Sequence, residues 1–160
     1  MFAKPQKEHE WLNQLVGDWV SEMDCSMGPD QPRQKSKGKE SVRSLGGLWF
    51  LGEGEGEMPD GGVGQTLITL GFDPARGRFV GSFVGSMMTH QWLYDGSLDE
   101  SGTVLTLDSE GPSFDGGGAI KPYRDVVTII SPDHRTLSSY LPDGNGGWSE
   151  FMTAHYRRVA

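Results

Sequence analysis

The sequence predicts an all-β protein, an antiparallel up-and-down barrel of about ten strands with a short N-terminal helix that caps one end. After Gly17, apolar and polar residues alternate over short segments, which is the period of a half-buried strand. Short stretches rich in Gly, Asp and Pro separate these segments, as in a meander of hairpins. Strands and helices do not alternate along the chain, which argues against a parallel sheet. We expect a single domain over residues 1–160.

The helix is predicted directly before the first strand. Pro5 can open it, and apolar residues at helical spacing share one face, namely Trp11, Leu12, Leu15 and Val16. Gly17 permits a tight exit from the helix, and the indole of Trp19 can plug the floor of the barrel. One of the two C-terminal arginines, Arg157 or Arg158, is expected to stack on Trp19 and close this base.

Ten segments are then predicted as strands, and they cover residues 19–27, 33–45, 48–57, 65–72, 78–86, 91–98, 103–110, 123–131, 135–141 and 148–159. Gly28-Pro29-Asp30 ends the first of them, and Asp73-Pro74-Ala75-Arg76-Gly77 has the composition of a hairpin turn. In the third segment Glu53, Glu55 and Glu57 alternate with glycines. We expect these carboxylates on a solvated outer face, with the glycines leaving interior volume free of side chains.

The bulk properties exclude several classes of partner. The formal net charge is −8 and the sequence pI about 4.9, so a broad electrostatic footprint for nucleic acid is missing. Cys25 is the only cysteine, which excludes an intramolecular disulfide and a cysteine-rich zinc site. We expect no membrane span and a cytoplasmic protein, because a signal-peptide core and a run of about 20 apolar residues are both missing.

One strand carries the strongest candidates for a ligand site. Met88, His90, Trp92 and Tyr94 alternate and so share a face. If that face points inward, these side chains line a cavity with a soft, polarisable wall. If it points outward, they form an apolar surface for a homodimer, and ordinary core packing also explains Trp92 and Met88.

A second candidate is a polar anchor on neighbouring strands. Glu110 and Arg124 could pair inside the barrel and leave donors for a ligand carboxylate, with the hydroxyl of Tyr140 nearby. The alternative is a structural ion pair or two solvated side chains. The sequence contains no catalytic motif, although Glu110, His90 or Tyr94 could handle protons if they converge on one pocket.

Several segments, in order along almost the whole chain, resemble the bacterial DUF1579 family and, at the start, the glycine-x-tryptophan motif of lipocalin-like (calycin) barrels. These segments are Leu15-Val16-Gly17-Asp18-Trp19, Phe83-Val84-Gly85-Ser86-Met87, Tyr94-Asp95-Gly96, Leu107-Asp108-Ser109-Glu110-Gly111-Pro112, Tyr123-Arg124-Asp125-Val126 and Met152-Thr153-Ala154-His155-Tyr156-Arg157-Arg158. The resemblance implies a barrel of about ten strands with a helix at one end, and no assigned activity. Haem-binding barrels of the nitrobindin type place an axial histidine where His155 stands, so haem is the alternative to our expectation of no cofactor.

The leading hypothesis is a barrel that binds a small apolar or amphipathic molecule in its interior. The residues predicted to contact it are Trp49, Met88, His90, Trp92, Tyr94, Glu110, Arg124, Tyr140 and Met152. The alternative is an interaction module, a homodimer whose barrel is filled with side chains.

Overall fold

The computed structural model describes residues 2–26 and 31–159, and within them the chain forms one helix and ten strands. The elements are α1 (Lys7–Asn13), β1 (Gly17–Cys25), β2 (Gln34–Leu45), β3 (Trp49–Glu57), β4 (Val63–Asp73), β5 (Arg78–Gly85), β6 (Trp92–Leu98), β7 (Val104–Pro112), β8 (Ile120–Ser131), β9 (His134–Pro142) and β10 (Trp148–Arg158). The all-β prediction is confirmed.

The strands form a closed antiparallel barrel in which each strand pairs with its neighbours in sequence. The barrel closes between β1 and β10, where Trp19 pairs with Arg158 and Cys25 with Met152. Closure satisfies the backbone groups that an open sheet would leave at its edges. The sheet therefore has the inner and outer faces that the sequence predicts.

The element boundaries differ from the prediction in small ways. Helix α1 ends at Asn13, and the next two residues continue as turns, in which the amides of Leu15 and Val16 donate to the carbonyls of Leu12 and Asn13. Strand β8 begins earlier than predicted, because its first residues pair with the end of β7. Met27 and the predicted break at 28–30 lie outside the described residues.

The floor of the barrel is closed by α1 and by a cation–π contact between Arg158 and Trp19. The indole nitrogen of Trp19 donates to the carbonyl of Leu15 at 2.9 Å, and the guanidinium of Arg158 lies 4.3 Å from the Trp19 ring centroid. Arg158 also donates to the carbonyls of Val16 (2.6 Å) and Gln14 (2.8 Å). The predicted stacking on Trp19 is thus confirmed, and Arg158 is the arginine that makes it.

Side chains fill the half of the barrel next to this floor. The buried cluster comprises Leu12, Leu15, Trp19, Val42, Phe50, Leu70, Phe79, Tyr94, Leu105, Leu107 and Val127. Contacts of this kind supply most of the hydrophobic stabilisation of a fold. The space available to a ligand therefore lies in the other half.

The acidic side chains of β3 lie on the outer face, as predicted. Glu53 and Glu55 form exposed ion pairs with Arg43 (3.3 Å) and Lys39 (3.7 Å) on β2. Gly54 and Gly56, on the opposite face of the same strand, line the interior. The strand thus presents charge to solvent and bare backbone to the cavity.

Candidate functional site

A cavity of about 260 Å³ occupies the half of the barrel away from α1. Its upper wall is apolar and includes Met23, Ile68, Phe83, Met88, Trp92, Phe114, Tyr123, Leu137, Phe151 and Met152. A liquid water molecule takes about 30 Å³, so the cavity holds roughly nine waters or a molecule of roughly ten non-hydrogen atoms. The expected cavity is therefore present, and this half of the barrel is not filled.

The aromatic side chains of the upper wall form one connected cluster. Trp92 meets Tyr123 edge to face with ring centroids 4.9 Å apart, and Phe114 meets Phe151 in the same way at 5.0 Å. A β-bulge at Phe151 brings this residue and Met152 to the cavity together. The indole nitrogen of Trp92 donates to the sulfur of Met88 at 3.1 Å. These contacts preorganise a stiff aromatic wall with a softer methionine edge.

The cavity floor is polar, and its central group is the carboxyl of Asp125 on β8. The hydroxyl of Tyr94 donates to Oδ2 and the hydroxyl of Ser139 donates to Oδ1, each at 2.6 Å. Burial raises the pKa of Asp125, although the two hydroxyls oppose this by stabilising the ionised form. Burial and the nearby Asp125 also raise the pKa of Tyr94 well above its ordinary value. Tyr94 therefore acts as a hydrogen-bond donor to the carboxylate.

A buried ion pair lies beside this group. Nη2 of Arg135 on β9 contacts Oε1 of Glu40 on β2 at 2.5 Å, and both side chains are largely buried. The guanidinium of Arg135 is packed against two rings, with centroids 4.6 Å away for Trp19 and 4.2 Å away for Tyr156. Arg135 thus contacts both Tyr156, which lines the cavity, and Trp19, which belongs to the buried cluster beneath it.

Four of the residues predicted from the sequence line the cavity: Met88, Trp92, Tyr94 and Met152. His90 lies at the rim, where Nε2 contacts the carbonyl oxygen of Glu110 at 2.9 Å and the ring meets Trp92 edge to face. Trp49 lies on the outer face, 43% exposed, with its ring against the backbone of Gly71. A ligand-binding role for each of these residues remains a prediction.

The predicted anchor of Glu110 and Arg124 is not formed. Both residues lie on the outer face, because their neighbours Ser109 and Tyr123 face the cavity. Arg124 instead pairs with Asp108 across the β7–β8 ladder at 2.7 Å and packs on the ring of Trp148 at 4.3 Å. Tyr140, the cross-strand neighbour of Arg124, lies on the same outer face.

The proton-handling and haem alternatives meet a geometric obstacle. Glu110 points outward whereas Tyr94 points into the barrel, so the proposed convergence on one pocket is not found. His155 is exposed on the outside, where its Nδ1 lies 2.9 Å from Nε2 of His134. It therefore does not face the cavity as an axial ligand would.

Sequence reasoning missed the three charged residues of the floor, Glu40, Asp125 and Arg135. The sequence carries a usable pattern for Asp125. Asp125 is in phase with Tyr123 and Val127 on β8, and these two residues are buried. A charged residue in phase with the buried positions of a strand is a candidate for a buried polar site.

A larger groove of about 930 Å³ runs over the outer face of β1–β5, lined by charged side chains such as Lys39, Glu53 and Glu55. It is shallow and open, whereas small-molecule sites are concave and largely apolar. Within residues 2–26 and 31–159, no group of three or more His, Cys, Asp or Glu side chains is arranged to hold a metal ion. In the same residues, no helix has the length and apolar character needed to cross a membrane. The interior cavity is therefore the candidate site.

Comparison with known proteins places the chain in a family. The model of a family described as "Protein of unknown function (DUF1579)" matches residues 4–158. The chain belongs to the DUF1579 family. No curated protein matches the sequence.

Solved structures share the barrel of this DUF1579 protein at low sequence identity. One is Rv2717c from M. tuberculosis, with a TM-score of 0.69 and 13% identity over 98% of this chain and 100% of the other. Another is the S-type phycobiliprotein lyase CPES from Guillardia theta, with a TM-score of 0.61 and 14% identity over 99% of each chain. A third is EF1p2_mFAP2b bound to DFHBI, with a TM-score of 0.50 and 16% identity over 94% of this chain and 98% of the other. At this identity the likeness shows the fold alone.

Asp125 predicts a specific dependence of stability on pH. Below the ordinary carboxyl pKa of 3.8 the residue is protonated in both the folded and the unfolded state. As the pH rises, the carboxyl ionises first in the unfolded chain, while the folded protein still keeps its proton. The free energy of unfolding therefore falls until the pH has passed the raised pKa of the folded state. We expect Asp125→Asn, which does not titrate, to gain stability relative to the parent protein over this interval. Urea unfolding of both proteins from about pH 3 to about pH 8 measures it, and a constant difference would contradict the prediction.

Proposed function

We propose that this protein binds one small amphipathic molecule inside the barrel, with the apolar part of the ligand against the aromatic wall and its polar end at the floor. The observation that carries the proposal is the combination, in one open cavity, of an apolar upper wall and a polar floor around Asp125. Small-molecule sites have this composition, since burial of apolar area supplies affinity and a few placed polar groups supply orientation.

The glycines of β3 support the proposal from a second direction. A Cβ atom added at Gly56 would find no heavy atom closer than the carbonyl oxygen of Lys37 at 4.0 Å, and Gly56 lines the cavity, so the cavity extends up to the backbone there. Gly54 borders the same space. Close-packed interiors rarely leave such a wall bare, and an unfilled void loses the contacts that side chains would make.

The neighbouring structures fit this proposal. EF1p2_mFAP2b is described as bound to DFHBI, and CPES is described as a phycobiliprotein lyase. EF1p2_mFAP2b therefore holds a small molecule on a fold that this chain shares. A barrel of this shape can thus accommodate a small organic molecule.

Gly56→Leu provides the experiment. The leucine side chain enters the cavity from the bare wall, and we expect it to weaken binding of 2-phenylethanol by at least about tenfold while the barrel stays folded. 2-Phenylethanol is a neutral amphipathic probe of the size that the cavity admits. Isothermal titration calorimetry measures the binding, and circular dichroism checks the fold.

Ser97→Leu is the matched control. Ser97 is exposed on the outer face of β6, so the same leucine side chain is added outside the cavity. It should leave binding unchanged. If Gly56→Leu binds the probe as the parent protein does, the interior site is wrong. The homodimer of the sequence analysis remains a separate prediction, which light scattering at several protein concentrations tests.

A further inference from the structure

We propose that the polar end of the ligand is a cation, a protonated primary amine that Asp125 binds. This inference rests on the proposed function and names the chemical class of the ligand. It reverses the earlier expectation from the sequence, in which an arginine would bind a ligand carboxylate.

The first argument is the balance of charge inside the barrel. Among the described residues that border the cavity, the charged ones exposed to solvent are Lys37, Lys39 and Glu55. The charged side chains of the polar floor are Glu40 and Asp125, and Arg135 lies beneath the floor in contact with Glu40. Glu40 and Arg135 neutralise each other in direct contact. The remaining charge is the carboxylate of Asp125, so the floor attracts cations and repels anions.

The second argument is that Arg135 lies beneath the cavity and is not one of the residues that line it. Its guanidinium is held between the rings of Trp19 and Tyr156 and engaged by Glu40. Its Nε is buried with no hydrogen-bond partner among the described residues and has almost no accessible surface, so a molecule in the cavity does not reach this donor. An anionic ligand would thus meet a carboxylate without meeting an accessible cation.

The third argument is the hydrogen bonding around Asp125. A carboxylate can accept about four hydrogen bonds, and Tyr94 and Ser139 supply one to each oxygen. Both partners are hydroxyls that donate, which favours the ionised acid and fixes its orientation. The remaining acceptor positions suit an ammonium group, which carries three donors and no acceptor.

Two further features of the cavity fit a cation. Tyr156 is partly buried and lines the cavity, and its hydroxyl has no hydrogen-bond partner among the residues described, so its oxygen can accept a second ammonium hydrogen. Aromatic side chains, including Trp92, Tyr123 and Phe151, surround the space towards the mouth. Aromatic faces attract ammonium groups and gain strength in a desolvated site.

A matched series of ligands tests the inference on the parent protein alone. 2-Phenylethylamine, 2-phenylethanol and phenylacetate share the aromatic part and differ in the charge of the polar end. We expect the amine to bind at least about tenfold more tightly than the alcohol near neutral pH, because a hydrogen bond to a charged group is stronger than a neutral one. Phenylacetate should bind more weakly than the alcohol.

Asp125→Asn locates the effect. The variant keeps the shape of the side chain and loses its charge, so the amine should lose its advantage while the affinity for the alcohol changes by less than about threefold. Asp108→Asn removes a carboxylate from the outer face of β7, where it pairs with Arg124, and should leave the preference for the amine intact. Acidification should weaken amine binding as Asp125 takes up a proton. Among the described residues, the other ionisable side chains that border this space are Glu40, Tyr94, Tyr123 and Tyr156, with Arg135 paired to Glu40 beneath it.

The possible outcomes separate the two proposals. If the alcohol binds and the amine does not bind more tightly, the amine inference is wrong and the proposed function stands. If none of the three molecules binds, the interior site and the amine inference are both wrong. A preference for the amine that persists in Asp125→Asn would also overturn the assignment to Asp125. If this variant fails to fold, the comparison of the three ligands on the parent protein still decides the class of ligand.

Discussion

Replacing Glu40 by methionine is expected to lower the free energy of unfolding by about 3 to 5 kcal/mol, because the change leaves the buried guanidinium of Arg135 without its ionic partner. Methionine has about the length of glutamate and a flexible side chain, so it can adapt to the same site. The cost arises from desolvation, since Arg135 lies beneath the cavity floor and is only 6% exposed. Equilibrium unfolding in urea measures this free energy.

The double variant makes this prediction sharper. When Glu40 and Arg135 are both replaced by methionine, we expect most of the loss to disappear, because no buried charge remains. The control is the exposed pair of Glu53 and Arg43, where the corresponding changes should alter stability by less than about 1 kcal/mol. If the double variant is as unstable as the sum of the two single variants, the buried pair is not acting as a coupled unit.

Replacing Arg158 by alanine is expected to lower the free energy of unfolding by about 3 kcal/mol and to loosen α1, which closes the floor of the barrel. The side chain donates to the carbonyls of Val16, Gln14 and Pro132 and covers the ring of Trp19. Hydrogen bonds from a charged group contribute more than neutral ones, and three acceptors lose their donor together. Amide hydrogen exchange of α1 should therefore accelerate more than that of the distant strand β7.

Arg157→Ala is the matched control for this experiment. Arg157 is the preceding residue of the same strand and is exposed. Its removal should change stability by no more than about 0.5 kcal/mol and should leave exchange in α1 unaltered. Equal effects of the two substitutions would mean that general charge, and not the contacts of Arg158, stabilises the floor.

The fold was predictable because its two determinants are local. Alternation with a period of two marks each strand, and glycine-containing turns mark the places where the chain reverses, as at Gly77 and Gly102, which adopt positive φ. A contact of Trp19 with Arg157 or Arg158 is predictable because a closing sheet must bring its first and last strands together, and the structure selects Arg158.

The site was less predictable because it depends on which face of each strand is inside. Strand β3 gives little guidance, since glycine at 52, 54 and 56 leaves no side chain to mark the inner face. The sequence prediction puts Trp49 inside, whereas Phe50 is the buried residue. A shift of one residue exchanges the two faces of a strand. That error put Glu110 and Arg124 in the cavity and left Asp125 and Arg135 unrecognised.

Closure of the barrel has a consequence for how the molecule folds. The junction of β1 with β10 joins segments at opposite ends of the chain, as the pairing of Trp19 with Arg158 shows. Contacts between distant segments carry a large loop-closure entropy and slow folding, so the junction is expected to form late, after the hairpins of neighbouring strands. Until then β1 and β10 expose unpaired backbone groups, which are sites for intermolecular strand pairing and aggregation. Newly synthesised or refolding chains are thus the vulnerable form, whereas the finished barrel protects both strands.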